Sequence, residues 1–175
     1  MDAGSTYIEI FFEDEGLEMF YVKDNGYGIS GDALVDCAKR YFTSKIASFE
    51  ELETLESYGF RGEALHSICS ISKQVYVTTK TENDENPTFV TLSNNGEIES
   101  SETITANNSK KNVYLTGIKV SGTEVRVCGL FGNFPVRLQV QKSKIKAHLK
   151  QVWISIGARG KTIREIIINF LFLNK

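Results

Sequence analysis

The sequence predicts an α+β fold: a two-layer sandwich with helices packed on one face of a mixed, mostly antiparallel sheet. Three observations carry the prediction. Short runs rich in β-branched and aromatic residues come in pairs across polar turns, first at 7–12 and 17–23, then at 74–80 and 88–92. Two segments, 31–41 and 140–156, instead space their apolar residues for one face of a helix. The order is strand pair, helices, several strands, helix, strand, with no internal repeat, so it is not that of an alternating parallel α/β domain.

Residues 7–12 and 17–23 form a hairpin whose turn holds Glu13, Asp14, Glu15 and Gly16. Ahead of it, Asp2-Ala3-Gly4 has the form of a helix end with a glycine cap. The second strand runs into Asp24-Asn25-Gly26-Tyr27-Gly28-Ile29. Leu34, Val35, Ala38 and Tyr41 then mark the helix within 31–41. Phe42-Thr43-Ser44-Lys45 is a hydroxyl-rich loop, and 49–55 is a short helix.

Ser57-Tyr58-Gly59-Phe60-Arg61-Gly62 is a glycine-hinged turn, after which Glu63, Ala64 and Leu65 start a helix that runs on through Ile68. Residues 74–80 are a strong strand, 82–87 its turn and 88–92 the return. Asn94-Asn95-Gly96 leads to a weaker strand around Ile98, and 100–112 reads as a polar surface loop or insertion. Residues 123–127 are a strand ending near Leu130 and Phe131, and Pro135 closes a turn. The helix over 140–156 puts Val140, Ile145, Leu149, Val152 and Ile156 on one face, with Lys142, Lys144, Lys146 and Lys150 on a solvated one. A final strand covers 163–173.

With 175 residues, 41% hydrophobic and 24% charged, the chain can bury one core, and wholesale disorder is excluded. A net charge of −2 argues against the whole chain being a strong nonspecific nucleic-acid binder. Cys37, Cys69 and Cys128 are odd in number and widely spaced, which points to buried thiols in a reducing compartment rather than to disulfides or zinc. His66 and His148 are too few for a multi-histidine metal site. The apolar stretch 166–173 is too short to span a bilayer.

Four stretches carry chemistry. The turn at Gly59 and Gly62 opens a helix, and helix N-termini offer unpaired N–H groups to phosphate; an ordinary loop-to-helix junction has the same form. Asp24-Asn25-Gly26 is either a hairpin turn or a purine site, in which the carboxylate accepts from an exocyclic amine and Gly28 lets the backbone approach a flat ring. Thr43, Ser44 and Lys45 supply hydroxyls and an ammonium suited to phosphate oxygens, or a plain surface loop. Gly122-Thr123 alone is a simple turn.

Their arrangement is more specific. Asp2-Ala3-Gly4-Ser5-Thr6, Asp24-Asn25-Gly26-Tyr27-Gly28-Ile29, Tyr41-Phe42-Thr43-Ser44-Lys45-Ile46 and Tyr58-Gly59-Phe60-Arg61-Gly62-Glu63-Ala64-Leu65 follow in this order. They continue through Ser67-Ile68 to Gly122-Thr123 and Leu130-Phe131-x-Asn133-x-Pro135-Val136-Arg137. Over most of residues 1–157 the chain thus resembles the N-terminal ATPase domain of the MutL family of DNA mismatch-repair proteins. That family lies within the gyrase, Hsp90, histidine kinase and MutL (GHKL) ATPases, so the resemblance implies the Bergerat form of the sandwich. The Gly-Phe-Arg-Gly-Glu-Ala-Leu run is particular to MutL proteins, and Tyr41 to Ser70 looks most like the eukaryotic postmeiotic-segregation branch.

The resemblance implies a role for each matching residue. Asp24 would hold the adenine amine, Gly28 would line the ring and Thr123 would support that end. Thr43, Ser44 and Lys45 would surround the phosphates, and Gly59, Phe60, Arg61, Gly62, Glu63, Ala64 and Leu65 would form the lid and the helix start above them. It further implies ATP with Mg2+ as cofactor, ATP-driven lid closure and N-terminal dimerisation, and slow hydrolysis. The implied partners are a second MutL homologue as heterodimer partner, mismatched DNA and MutS-type proteins, in the nucleus.

The family's first motif sets a general-base glutamate and a magnesium-ligating asparagine four apart on the helix before Asp-Ala-Gly, and relative to Asp2 both fall ahead of Met1. The expectation is therefore a partial ATPase domain over 1–175 with no catalytic residue of its own. The alternative to an ATPase switch is an inactive fragment or degenerate copy serving as a nucleotide- or partner-binding module. The family's second domain, with its γ-phosphate lysine, and its dimerisation region would lie after Lys175. Gly132 and Leu138 stand where aromatic and basic residues are usual.

Overall fold

The computed structural model describes residues 3–40, 63–105, 120–159 and 165–171, with 152–159 and 165–171 described by backbone alone. β1 (Tyr7–Glu13) and β2 (Met19–Asp24) form the expected antiparallel hairpin, in register from Ile8 opposite Asp24 to Glu13 opposite Met19. Its connection is a short 3-10 turn, Asp14–Gly16, with Asp14, Glu15 and Gly16 all at positive φ. Leu17, expected in the second strand, instead caps this turn and is buried.

Helix α1 (Gly31–Asp36) is shorter than the 31–41 segment, giving way to turns after Asp36. Helix α2 (Ala64–Ile71) runs without a loop into β3 (Ser72–Lys80), which pairs with β4 (Thr88–Leu92). β5 (Ile98–Thr103) is longer than expected and takes in residues 100–103, read from sequence as loop. Those residues are polar because β5 is an edge strand with its side chains in solvent, so polarity there marks exposure and not irregularity.

β6 (Gly122–Leu130) leads to α3 (Pro135–Arg159), and β7 (Glu165–Leu171) follows. Pro135 does not close a turn but opens the helix, where its fixed φ suits the first helical position and its missing N–H costs nothing. The expected helix at 49–55 and residues 106–112 of the expected 100–112 loop lie outside the described residues.

The sheet order is β5-β4-β3-β6-β2-β1-β7; every pair is antiparallel except β1 with β7. Strand alternation decides where the helices sit. Val75, Val77, Val90, Leu92 and Val127 project to one face and meet Leu34 and Ala38 from the α1 region and Cys69 from α2. Val77, Val90 and Val127 are wholly buried, each contributing about 1.5–3 kcal/mol relative to exposure. On the same face, Ile145 and Leu149 of α3 lie over Ile10, Phe12, Phe20 and Val22, around an apolar groove of about 330 Å³. Val140 falls off this stripe and is 46% exposed, because the inward line of α3 runs through Leu138, Gln141, Ile145 and Leu149.

The opposite face carries a cross-strand row of Phe11, Tyr21, Arg126 and Tyr76. Phe11 stacks on Tyr21 at 5.2 Å, and the Arg126 guanidinium sits 4.8 Å above the Tyr21 ring. Arg126 pairs with buried Glu124 at 2.6 Å, and the Tyr21 hydroxyl donates to Glu9 at 2.8 Å. Burial, then Glu9, holds the Tyr21 phenol well above its usual range. Cys37, Cys69 and Cys128 are free thiols. No helix among the described residues is long and apolar enough to cross a membrane.

Candidate nucleotide-binding site

The sequence-predicted site residues that lie in the described segments fall at two places. The first is where β2 ends, β6 begins and β3 ends. Asp24 faces Thr123 across the β2–β6 ladder, and Thr123 faces Thr79 across β6–β3. The three side chains are thus adjacent by sheet register alone, at distances in sequence that no local motif could signal.

Asp24-Asn25-Gly26 is not a hairpin turn, because β2 pairs with β1 and β6 and the chain after Gly28 leaves for α1. Each polar group of the turn has a separate task. The Gly26 N–H donates to Asp24 Oδ1 at 2.7 Å, fixing one carboxylate oxygen. Asn25 Oδ1 accepts from the Thr6 and Tyr7 N–H groups at 3.0 and 2.9 Å, while its amide donates to Thr6 Oγ1 at 3.0 Å. Asn25 therefore clamps the start of β1, and the Tyr27 N–H donates to the Ala3 carbonyl beside it at 2.9 Å.

Gly28 sits at φ +79°, and a Cβ there would run into the Lys80 carbonyl. The close approach brings the Ile29 N–H to Thr79 Oγ1 at 2.8 Å. The Thr79 hydroxyl lies 3.2 Å from the Gly122 carbonyl and 3.1 Å from Thr123 Oγ1. Gly122, at φ +139°, lets β6 start directly under the Asp24 carbonyl, where any side chain would collide. Thr79 is 2% exposed and ties the ends of β3 and β6 to the turn. It was not singled out in the sequence, where it is one more β-branched residue in a good strand; nor was Asn25 given a role of its own.

Asp24 is half-buried, and its second oxygen takes no hydrogen bond from the described residues, so it can accept one from an amine. The glycines here serve close backbone packing, Gly26 against the Ala3 carbonyl, Gly28 against that of Lys80 and Gly122 against that of Asp24, and Thr123 stands opposite Asp24 in the sheet register. A carboxylate acceptor so placed suits a purine amine. The groove under α3 is apolar and suits no triphosphate.

The second place is the start of α2. Glu63 stands at the N-cap position without a side-chain cap bond, its carboxylate 3.9 Å from Arg40; Ala64 opens the helix, and Leu65 packs on the valine core. The first-turn N–H groups of any helix lack intrahelical acceptors, which is what an anion would use here. Thr43, Ser44, Lys45, Gly59, Phe60, Arg61 and Gly62 lie outside the described residues.

Residues 1–122 match the family model of histidine kinase-, DNA gyrase B-, and HSP90-like ATPases. The DNA mismatch repair protein MutL of Persephonella marina is 42% identical over 82% of the chain. The human PMS1 protein homolog 1 is 38% identical over 97% of the chain. The chain spans only 25% and 17% of the length of these two relatives. A crystal structure of the N-terminal domain of a DNA repair protein superposes with a TM-score of 0.65 at 33% identity, covering 89% of this chain and 41% of that one. The Aquifex aeolicus MutL ATPase domain complexed with ADP superposes with a TM-score of 0.59 over 95% of this chain and 54% of that one; at 19% identity it shows the shared fold.

Proposed function

The chain belongs to the MutL family of DNA mismatch-repair proteins, within the GHKL ATPases, and we propose that it is a nucleotide switch that takes ATP at the Asp24 turn. The observation that carries the reading is the state of Asp24. One oxygen is fixed by Gly26, the other takes no hydrogen bond from the described residues, and Asp24 stands opposite Thr123 at the meeting of three strand ends. Such a group accepts from the exocyclic amine of adenine.

The triphosphate would then reach toward the N-terminus of α2, whose unpaired amides and dipole favour negative charge. Leu65 anchors that helix on the core, so phosphate binding at its start would be felt by the preceding glycine-rich stretch. Magnesium would enter with the triphosphate and neutralise its charge. We assign to the same switch the closing of the Gly59–Gly62 stretch over the nucleotide and dimerisation with a second MutL homologue, in mismatch repair on DNA with MutS-type proteins in the nucleus.

Equilibrium titration with a non-hydrolysable ATP analogue and magnesium tests the reading. The chain should bind saturably, and Asp24→Asn should weaken binding by tenfold or more. Equal affinity of the two proteins, or no binding by either, contradicts it.

A further inference from the structure

Between the two packed glycines of the Asp24 turn stands the most exposed aromatic ring among the described residues. Tyr27 is 66% exposed, and of the other described aromatic side chains only Phe134, at 39%, is classed with it as open. A ring left in water forfeits the large gain that aromatic burial brings, so one held open in a fixed place calls for an occupant.

Tyr27 is held on three sides. Its N–H donates to the Ala3 carbonyl at 2.9 Å. A Cβ on Gly26 would lie 2.5 Å from that carbonyl oxygen and 2.9 Å from Asp24 Oδ1, and one on Gly28 would run into the Lys80 carbonyl. The backbone is thus wedged before and after Tyr27, which fixes the direction its side chain leaves the chain. The outer end of the ring rests on Gly4, where a Cβ would lie 2.6 Å from Cζ, 2.7 Å from Oη and 2.9 Å from Cε2. Ala3, the residue before Gly4, flanks Gly26 together with Asp24 Oδ1. The ring is therefore supported one residue along from the aspartate, with most of its surface open.

A carboxylate alone cannot choose among amine-bearing bases. Adenine and cytosine both present an exocyclic amine, so either could donate to Asp24. They differ in ring area, and area is what an aromatic surface senses, since stacking needs no particular hydrogen-bonding edge. We propose that Tyr27 stacks on the base whose amine Asp24 accepts, and so makes the site prefer a purine to a pyrimidine nucleotide. This rests on the nucleotide reading of the Asp24 turn and adds a second determinant to it: the carboxylate reads the amine, the ring reads the size. A ring that only held Gly4 in place would leave the preference among bases untouched.

The test is equilibrium binding of ATP, inosine triphosphate and cytidine triphosphate, with magnesium, to the chain and to Tyr27→Ala, Tyr27→Phe and Asp24→Asn. Tyr27→Ala should weaken ATP binding by about fivefold or more and narrow the preference for ATP over cytidine triphosphate by roughly threefold. Its preference for ATP over inosine triphosphate should stay as in the wild type, because both are purines and Asp24 is intact. Tyr27→Phe keeps the ring and should bind like the wild type. The proposal is overturned if Tyr27→Ala binds ATP as tightly as the wild type, or if it weakens all three nucleotides in the same proportion. It is also overturned if Tyr27→Phe is as impaired as Tyr27→Ala. Any of these results leaves the Asp24 reading standing as long as Asp24→Asn lowers the preference for ATP over inosine triphosphate. Failure of the wild-type chain to bind any of the three overturns both.

Discussion

Replacing Thr79 with valine keeps the shape of a wholly enclosed side chain and removes one oxygen. That oxygen accepts the Ile29 N–H at 2.8 Å and offers its proton to the Gly122 carbonyl or Thr123 Oγ1 at 3.2 or 3.1 Å. Valine leaves the Ile29 donor without its acceptor, a loss of about 1–3 kcal/mol, and removes one further hydrogen bond worth about 1 kcal/mol. Together these should cost roughly 2–4 kcal/mol, a large share of the 5–15 kcal/mol typical of a whole domain.

In urea the midpoint should drop by about 1–2 M with an unchanged slope, since the surface exposed on unfolding is the same. Amide exchange at Ile29 should accelerate, and affinity for the ATP analogue should fall because the turn behind Asp24 is no longer tethered. Thr79→Ser, which restores the oxygen, should recover most of the stability. A valine variant within ~0.5 kcal/mol of wild type would refute the claim that this hydroxyl organises the site.

Three further predictions follow from the same structure. Gly28→Ala should weaken nucleotide binding by at least tenfold with the sheet signal retained, because φ +79° and the Lys80 carbonyl both oppose a Cβ; unchanged binding by titration would count against the close approach. Arg126→Met should cost about 3–5 kcal/mol in a denaturation series by leaving buried Glu124 without its guanidinium partner, whereas a near-neutral result would mean that Glu124 is compensated elsewhere. Burial pushes the Cys37 and Cys69 thiols from an ordinary 9.0 up to about 11, so both favour the protonated folded state. Their contribution is full below pH 9 and is lost as pH rises through 11, so the urea midpoint should fall over that interval; a flat profile would contradict their enclosure.

The hairpin, the helix after Gly62 and the β3–β4 pair were legible because local pattern decides them. Alternation marked 7–12 and 74–80, and good helix formers after a glycine marked Ala64. Polarity misled at 100–103, where exposure on an edge strand looks the same as a loop. It misled also at Pro135, which fits a turn and a first helical turn equally well. Val140 was placed inward by counting apolar residues, although Gln141 takes that place on the true stripe.

At the site, Asp24, Gly28 and Thr123 could be named through their motifs. The residue that joins them could not, because Thr79 meets Thr123 only through pairing of strands more than forty residues apart. Asn25 shows the opposite limit. Its place in an Asn-Gly pair suggested a turn, but its side chain holds the start of β1 from 18 and 19 residues away.

The central claim is that Asp24 reads an exocyclic amine. It is tested most directly by comparing the affinities of ATP and inosine triphosphate under identical magnesium and salt. Inosine keeps the sugar and phosphates but carries a carbonyl at C6 and a proton on N1, so the donor that would face Asp24 is replaced by an acceptor. The account predicts ATP binding at least ~10-fold tighter than inosine triphosphate, from a lost bond to a charged acceptor worth about 1.5–3 kcal/mol. It also predicts that Asp24→Asn shrinks the difference. Equal affinity for the two nucleotides in the wild-type chain would contradict it.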